Sequence, residues 1–231
     1  MNAFTPSDKS KVKRLHERGS YDRETVFAIL DAGMIAHIGY VIDGQPFVTP
    51  TAYWRDGDRL YWHGSAASRM LRTQSKGIPV CLTVTHLDGL VLARSGFHHS
   101  INYRSVMAFG TAQLVDDAAE KVHHLNRFVD RVLPGRNPTL RPIEAQEAKG
   151  TSLLFMDIAE ASAKIRVGPP KDDEPDYALD CWAGVIPIAQ VVGPAVPDPK
   201  LKAGVDWPEH LRLFKDGHRL DAVMTENAES Y

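Results

Sequence analysis

The chain has 231 residues, 43% of them hydrophobic, and a formal net charge of −2. That is enough apolar material for a sizeable core in one domain, while the near-neutral balance excludes a global field that would recruit nucleic acid or an anionic membrane surface. Two cysteines, Cys81 and Cys181, exclude a disulfide framework; no apolar run approaches the ~20 residues of a membrane span and no signal-peptide core is visible, so a cytoplasmic protein is expected.

Residues 1–20 are polar and basic without apolar periodicity and read as an N-terminal arm. Asp22 is a helix N-cap candidate, followed by Val26, Phe27, Ile29 and Leu30 at helical spacing and a stop at Gly33. Two β-rich runs, Met34–Ile42 and Gln45–Trp54, are joined by Asp43-Gly44, a strong hairpin signal. Asp56-Gly57-Asp58 turns the chain into Arg59–His63. After a helix over Ser65–Lys76, strands are expected at Ile78–His86 and Tyr103–Val115, the latter bent near Gly110. Helices follow from Asp116-Asp117 to Leu133 and over Pro142–Lys149; Ser152–Val167 is extended, and Leu179–Ile188 is a last strand. The domain therefore spans residues 21–190, and Pro, Gly and charge dominate residues 191–231, a loosely attached tail with one short helix at Glu209–Lys215.

Helices scattered among antiparallel strands argue for a mainly β fold rather than a doubly wound sheet. Closing the strands removes their edges, and a barrel of about six strands is too narrow to hold a ligand inside. A ligand must then lie on the outer wall or at a subunit contact.

The stretch from Tyr61 to Arg72, YWHGSAASRMLR, is where such a ligand would bind. An extended Tyr-Trp-His leads through Gly64 to Ser65, a good N-cap, so the helix start would present backbone N–H groups, with Ser68 and Arg69 in its first turn. This is a small anion site suited to a phosphate. The alternative is a plain surface helix with Arg69, Arg72 and Lys76 solvated on one face.

The order of PFVTPTAYWRDGDRLYWHGSAASRML, INYRSVMAFGTAQLV and DCWAGVIPI resembles the pyridoxamine 5'-phosphate oxidase-related family of FMN-binding split barrels, and within it the nitroimidazole-resistance branch. The resemblance implies a six-stranded antiparallel split β-barrel that binds FMN between the two halves of a homodimer. It implies that Val48, Thr49, Pro50 and Thr51 line the isoalloxazine, that His63, Gly64 and Ser65 lie by the ribityl chain and phosphate, and that Ser68 and Arg69, with Met70 in the same motif, hold the phosphate. Ser105 and Trp182 would complete the pocket from the other subunit, although an indole in an apolar strand also reads simply as core.

Departures from the family pattern limit the function that can be carried over. True oxidases have R-x-V-L-L-K where this chain has Val48 to Tyr53, Ser-Arg-Lys where it has Ser68-Arg69-Met70, and R-L-H where it has Ile188-Ala189-Gln190. A dianionic substrate needs those cations, so vitamin B6 oxidation is not expected. No metal-ligand spacing occurs among the ten histidines. His63 could hydrogen-bond the flavin or protonate a substrate, or pack against Trp62 or Tyr61. Two functions remain open: an FMN-dependent oxidoreductase passing electrons from a nicotinamide to a small organic acceptor, or a protein that binds FMN or haem for storage or sensing.

Overall fold

A computed structural model describes residues 2–230. The chain enters through a short strand β1 (Gly19–Ser20) and a helix α1 (Arg23–Asp31), capped by the Asp22 carboxylate, which accepts from the Thr25 amide. The strands β2 (Ile35–Ile42) and β3 (Gln45–Asp56) form the expected hairpin. Asp43 and Gly44 both take positive φ, 50° and 79°, the left-handed pair that a two-residue loop needs to match strand twist. A second turn at Gly57 leads into β4 (Arg59–Ser65). A six-residue helix α2 (Arg69–Gln74) precedes the long pair β5 (Pro79–Leu92) and β6 (Ser100–Thr111), which runs past His86, where sequence reading stops the first of them.

A bend at one residue brings the two ends of the ladder together. β6 pairs β5, and after Ala112 the chain resumes as β7 (Gln113–Leu114), which pairs β8 (Thr151–Asp157). Because β8 pairs β4, the ladder returns through β3 and β2 to β5. Six members thus surround the core, counting β6 and β7 as one bent strand. At Gly110 a Cβ would meet the Asp157 carbonyl oxygen at 2.5 Å, so the bend needs glycine there. The expected single extended segment at Ser152–Val167 is instead β8 and β9 (Glu160–Arg166), and β9 branches off to pair β6.

Side chains facing inward form the main core: Ala36, Ile38 and Tyr40 from β2, Leu82 and Val84 from β5, Val106 and Ala108 from β6, and Leu154 and Met156 from β8. Helix α3 (Ala118–Val132), capped by Asp117, covers the outside of β3, β4 and β8, where Trp54, Tyr61, Val115 and Leu153 form a second core with Phe128 and Phe155. Helix α4 (Ala145–Gly150) leads into β8. The last strand, β10 (Gly184–Pro187), is shorter than expected, and Leu179–Trp182 lie outside it.

The terminal segments pack on the barrel. Phe4 is buried, and Gly19 and Ser20 pair with Lys164 and Ala163 of β9. The tail is not loose: it ends in α5 (Leu220–Glu229), which buries Val223, Met224 and Asn227, and Arg131 donates to the Met224 carbonyl at 3.0 Å. Its apolar face is short and interrupted by Thr, Glu and Asn, so periodicity does not reveal it. The segment expected as a helix at Glu209–Lys215 is a single 3-10 turn, Glu209–Leu211. No helix among the described residues is long and apolar enough to cross a membrane.

Candidate functional site

Strands β3 and β4 are joined by a tight turn but stay paired only as far as Tyr53 and Trp62. Beyond that pair they part. Residues 47–52 keep β2 on one side and His63–Ser65 keep β8 on the other, so the two facing edges have no ladder partner. An unpaired edge offers alternating N–H donors and C=O acceptors. Helix α2 closes one end of this cleft, held by the buried bond from Trp62 Nε1 to Gln74 Oε1 at 2.9 Å. A Cβ on Gly64 would come within 3.1 Å of Leu71 Cδ1, so glycine lets the helix lie this close to the strand.

The helix begins three residues later than the sequence suggests. Ser65 is still in the ladder, opposite Thr151, and its neighbours are already bonded: Ala66 N–H donates to the Gly150 carbonyl at 2.8 Å, Ala67 N–H to Ser65 Oγ at 3.2 Å, and Ser68 N–H to the Ser65 carbonyl at 2.9 Å. Ser68 is the N-cap instead, and its side chain makes no cap bond. Its hydroxyl and the first-turn amides from Arg69 onward are therefore the groups on offer to an anion. Arg69 places its guanidinium 4.7 Å over the Phe47 ring and forms no ion pair among the described residues. Phe47, which sequence reading passes over, stacks on Tyr40 at 5.7 Å and so fixes the platform.

The other expected site residues divide by strand alternation. Val48, 68% exposed, and Pro50 point outward, whereas Thr49 and Thr51 point to the opposite face, and Thr49 Oγ1 lies 3.1 Å from the Tyr40 hydroxyl. The Met70 side chain belongs to the main core, which leaves only its backbone at the turn. His63 sits beneath α3, its ring 4.8 Å from Phe128 and 6.1 Å from Trp54, with Nδ1 lacking a partner. Burial lowers its pKa, so at neutral pH it can offer a hydrogen bond but not a proton.

One chain does not bring Ser105 or Trp182 to the cleft. Ser105 Oγ donates to the Lys164 carbonyl at 3.2 Å and lies three strands from β3, about 14 Å at the usual spacing. Trp182 is 65% exposed beside Gly184, which pairs Leu92; that is eleven residues along β5 from Cys81, roughly 35 Å. Tyr53, where true oxidases carry a lysine, is buried, and its hydroxyl donates to the Leu30 carbonyl. The position serves packing.

This donor set suits a flat heterocycle with a polar rim and a phosphate at one end: an open strand edge, a free hydroxyl, first-turn amides and an uncompensated guanidinium. A mainly β split barrel with an open cleft where two strands part is the class that fold and site define. The chain belongs to the pyridoxamine 5'-phosphate oxidase family, whose sequence model matches residues 22–165. Among solved structures, the flavocytochrome Anf3 from Azotobacter vinelandii is 50% identical, with a TM-score of 0.87 over 93% of this chain and 100% of its own. The FAD and heme binding protein from Mycobacterium smegmatis is 35% identical, with a TM-score of 0.83 over 88% and 98% of the two chains. No curated protein matches.

Proposed function

We propose that this protein is a flavin-binding oxidoreductase of the flavocytochrome kind and not a vitamin B6 oxidase. The observation that carries the reading is Arg69: a guanidinium without an ion pair, fixed on Phe47 beside an unpaired strand edge. Two relatives described as a flavocytochrome and as an FAD and haem binding protein support it over nearly their whole length.

Isoalloxazine, ribityl chain and first phosphate are common to FMN and FAD, and this portion is what the cleft would take. Ser68 and Arg69 would hold the phosphate by charge-assisted hydrogen bonds, and the backbone of residues 48–51 would meet the polar rim of the ring. When bound, the flavin supplies hydride and electron transfer, which the protein serves by binding, orientation and exclusion of water. A nicotinamide would be the donor and a small organic molecule or the haem the acceptor. The outward face of the sheet exposes Ile35 on β2, Val48 on β3 and Met107 on β6, apolar surface that a second copy would cover, and that copy would bring Ser105 and Trp182.

The spectrum of the freshly purified protein tests this, with mass spectrometry of whatever it releases on denaturation. Flavin bands, a haem Soret band, and bleaching of the flavin bands by NADH or NADPH without oxygen are expected. A colourless protein that takes up neither FMN nor FAD would overturn the reading, and recovery of FMN or FAD identifies the flavin. Enzyme-like turnover of pyridoxamine 5'-phosphate would refute the exclusion of vitamin B6 chemistry.

A further inference from the structure

The tip of the β5–β6 hairpin, the N-terminal arm and the segment after β9 enclose a second cavity of about 500 Å³, lined among others by Arg14, Arg18, Phe97, His99, Arg166 and Lys171. Its volume lies in the range of ligand pockets. Leu15, Ile165, Val167 and Pro169 add apolar wall.

Two features mark it as a built site. First, His99 Nδ1 lies 2.8 Å from the Ser95 carbonyl oxygen, a contact in which Nδ1 donates and Nε2 is the ring nitrogen left for a ligand. This is how a metal-ligating imidazole is oriented: one ring N–H donates to a carbonyl while the other nitrogen faces the metal. His218 makes the same kind of contact with Leu213, but it lines no such cavity.

Second, the cavity carries four cations with almost nothing to balance them. Arg166 is only 8% exposed, yet it donates solely to neutral oxygens of Asn102, Gly168 and Pro169. Arg14 and Lys171 form no ion pair among the described residues, and Arg18 reaches only Glu17, at 4.0 Å. Burial, then repulsion from Arg18, lowers the Arg166 pKa, as expected where two guanidiniums share a space without an anion between them. The remaining titratable groups on the wall are Glu17 and His98, and His98 faces Asp173 at 3.3 Å. Phe97, 91% exposed, supplies an aromatic face at the rim.

We infer that this cavity is the haem site, with His99 Nε2 as axial ligand and Arg14, Arg18, Arg166 and Lys171 taking the two propionates. The assignment rests on the haem part of the proposed function.

Haem content by the pyridine haemochrome assay and the Soret band, measured on the full-length protein as purified and after titration with hemin, test the assignment. His99→Gln should lower haem affinity at least tenfold, and His99→Gly should recover a wild-type-like band on addition of imidazole; flavin content should be unchanged in both. His99 is exposed, so neither change threatens folding. Arg14→Glu with Lys171→Glu, also exposed, should weaken haem retention at least tenfold while leaving the band shape intact. An unaltered Soret band and haem content in His99→Gln would overturn the ligand assignment while leaving haem binding in place. A wild-type protein that takes up no hemin would overturn both together.

Discussion

Replacing Arg69 isolates the charge on which the flavin site depends. Its guanidinium forms no ion pair among the described residues and lies 4.7 Å over the Phe47 ring, so Arg69→Ala should cost the fold no more than the ~0.5–1 kcal/mol of an exposed cation–π contact. The loss to the ligand is larger. A hydrogen bond to a charged group contributes about 1.5–3 kcal/mol, which at ~1.4 kcal/mol per tenfold corresponds to a roughly 12- to 140-fold weaker Kd for the flavin. Arg69→Lys keeps the charge but loses the planar fork and should fall between. The assay is quenching of flavin fluorescence on titration into flavin-stripped protein, at low and high salt, with a thermal melt of each variant alongside. Wild type should lose affinity with salt more steeply than Arg69→Ala. A variant that binds within twofold of wild type, with the same salt slope, would refute the placement of the phosphate at Ser68–Arg69.

Other perturbations report on the framework. His63 is held below its ordinary pKa by burial, so the unfolded chain takes up its proton first as pH falls; stability should decline below about pH 6.5, and His63→Phe should flatten that decline in a series of thermal melts between pH 7.5 and 5. Gly110→Ala would drive a Cβ to 2.5 Å from the Asp157 carbonyl oxygen and should lower stability by roughly 1–3 kcal/mol, read by denaturant titration; an unchanged midpoint would show that the bend between β6 and β7 tolerates a side chain. Met224 is 1% exposed, and Met224→Ala should cost about 2–5 kcal/mol if α5 is docked in solution. A cost below 0.5 kcal/mol, the size of an ordinary surface change, would mean the tail is loose after all.

Much of this molecule is written in short-range signals. Asp43-Gly44 specifies its own hairpin because only residues that accept positive φ can make a two-residue loop; Asp22 and Asp117 announce their helices because a carboxylate satisfies first-turn amides. Alternation along residues 35–42 and 79–86 assigns inner and outer faces before any partner is known. The stretch around Ser68 and Arg69 was legible in the same way, as a cation and a hydroxyl at a helix start. Its details were not: the helix begins at Arg69 and not at Ala66 because Ser65 remains paired to Thr151 on β8, a contact 86 residues away in the chain.

Tertiary structure decided what depends on such distant contacts. The chain crosses from one side of the split barrel to the other because Gly110 lets β6 bend against Asp157 and continue as β7 on β8. The cleft exists because β3 and β4 follow different neighbours after Trp62, and Phe47 becomes a platform only when α2 folds back over it. Arg14, His99 and Arg166 share a cavity although they are far apart in sequence. Local chemistry settles which elements form, since φ, ψ and side-chain period are properties of a few consecutive residues. Which edges stay open, and which cations are left without a counter-charge, is settled by packing and register across the whole sheet.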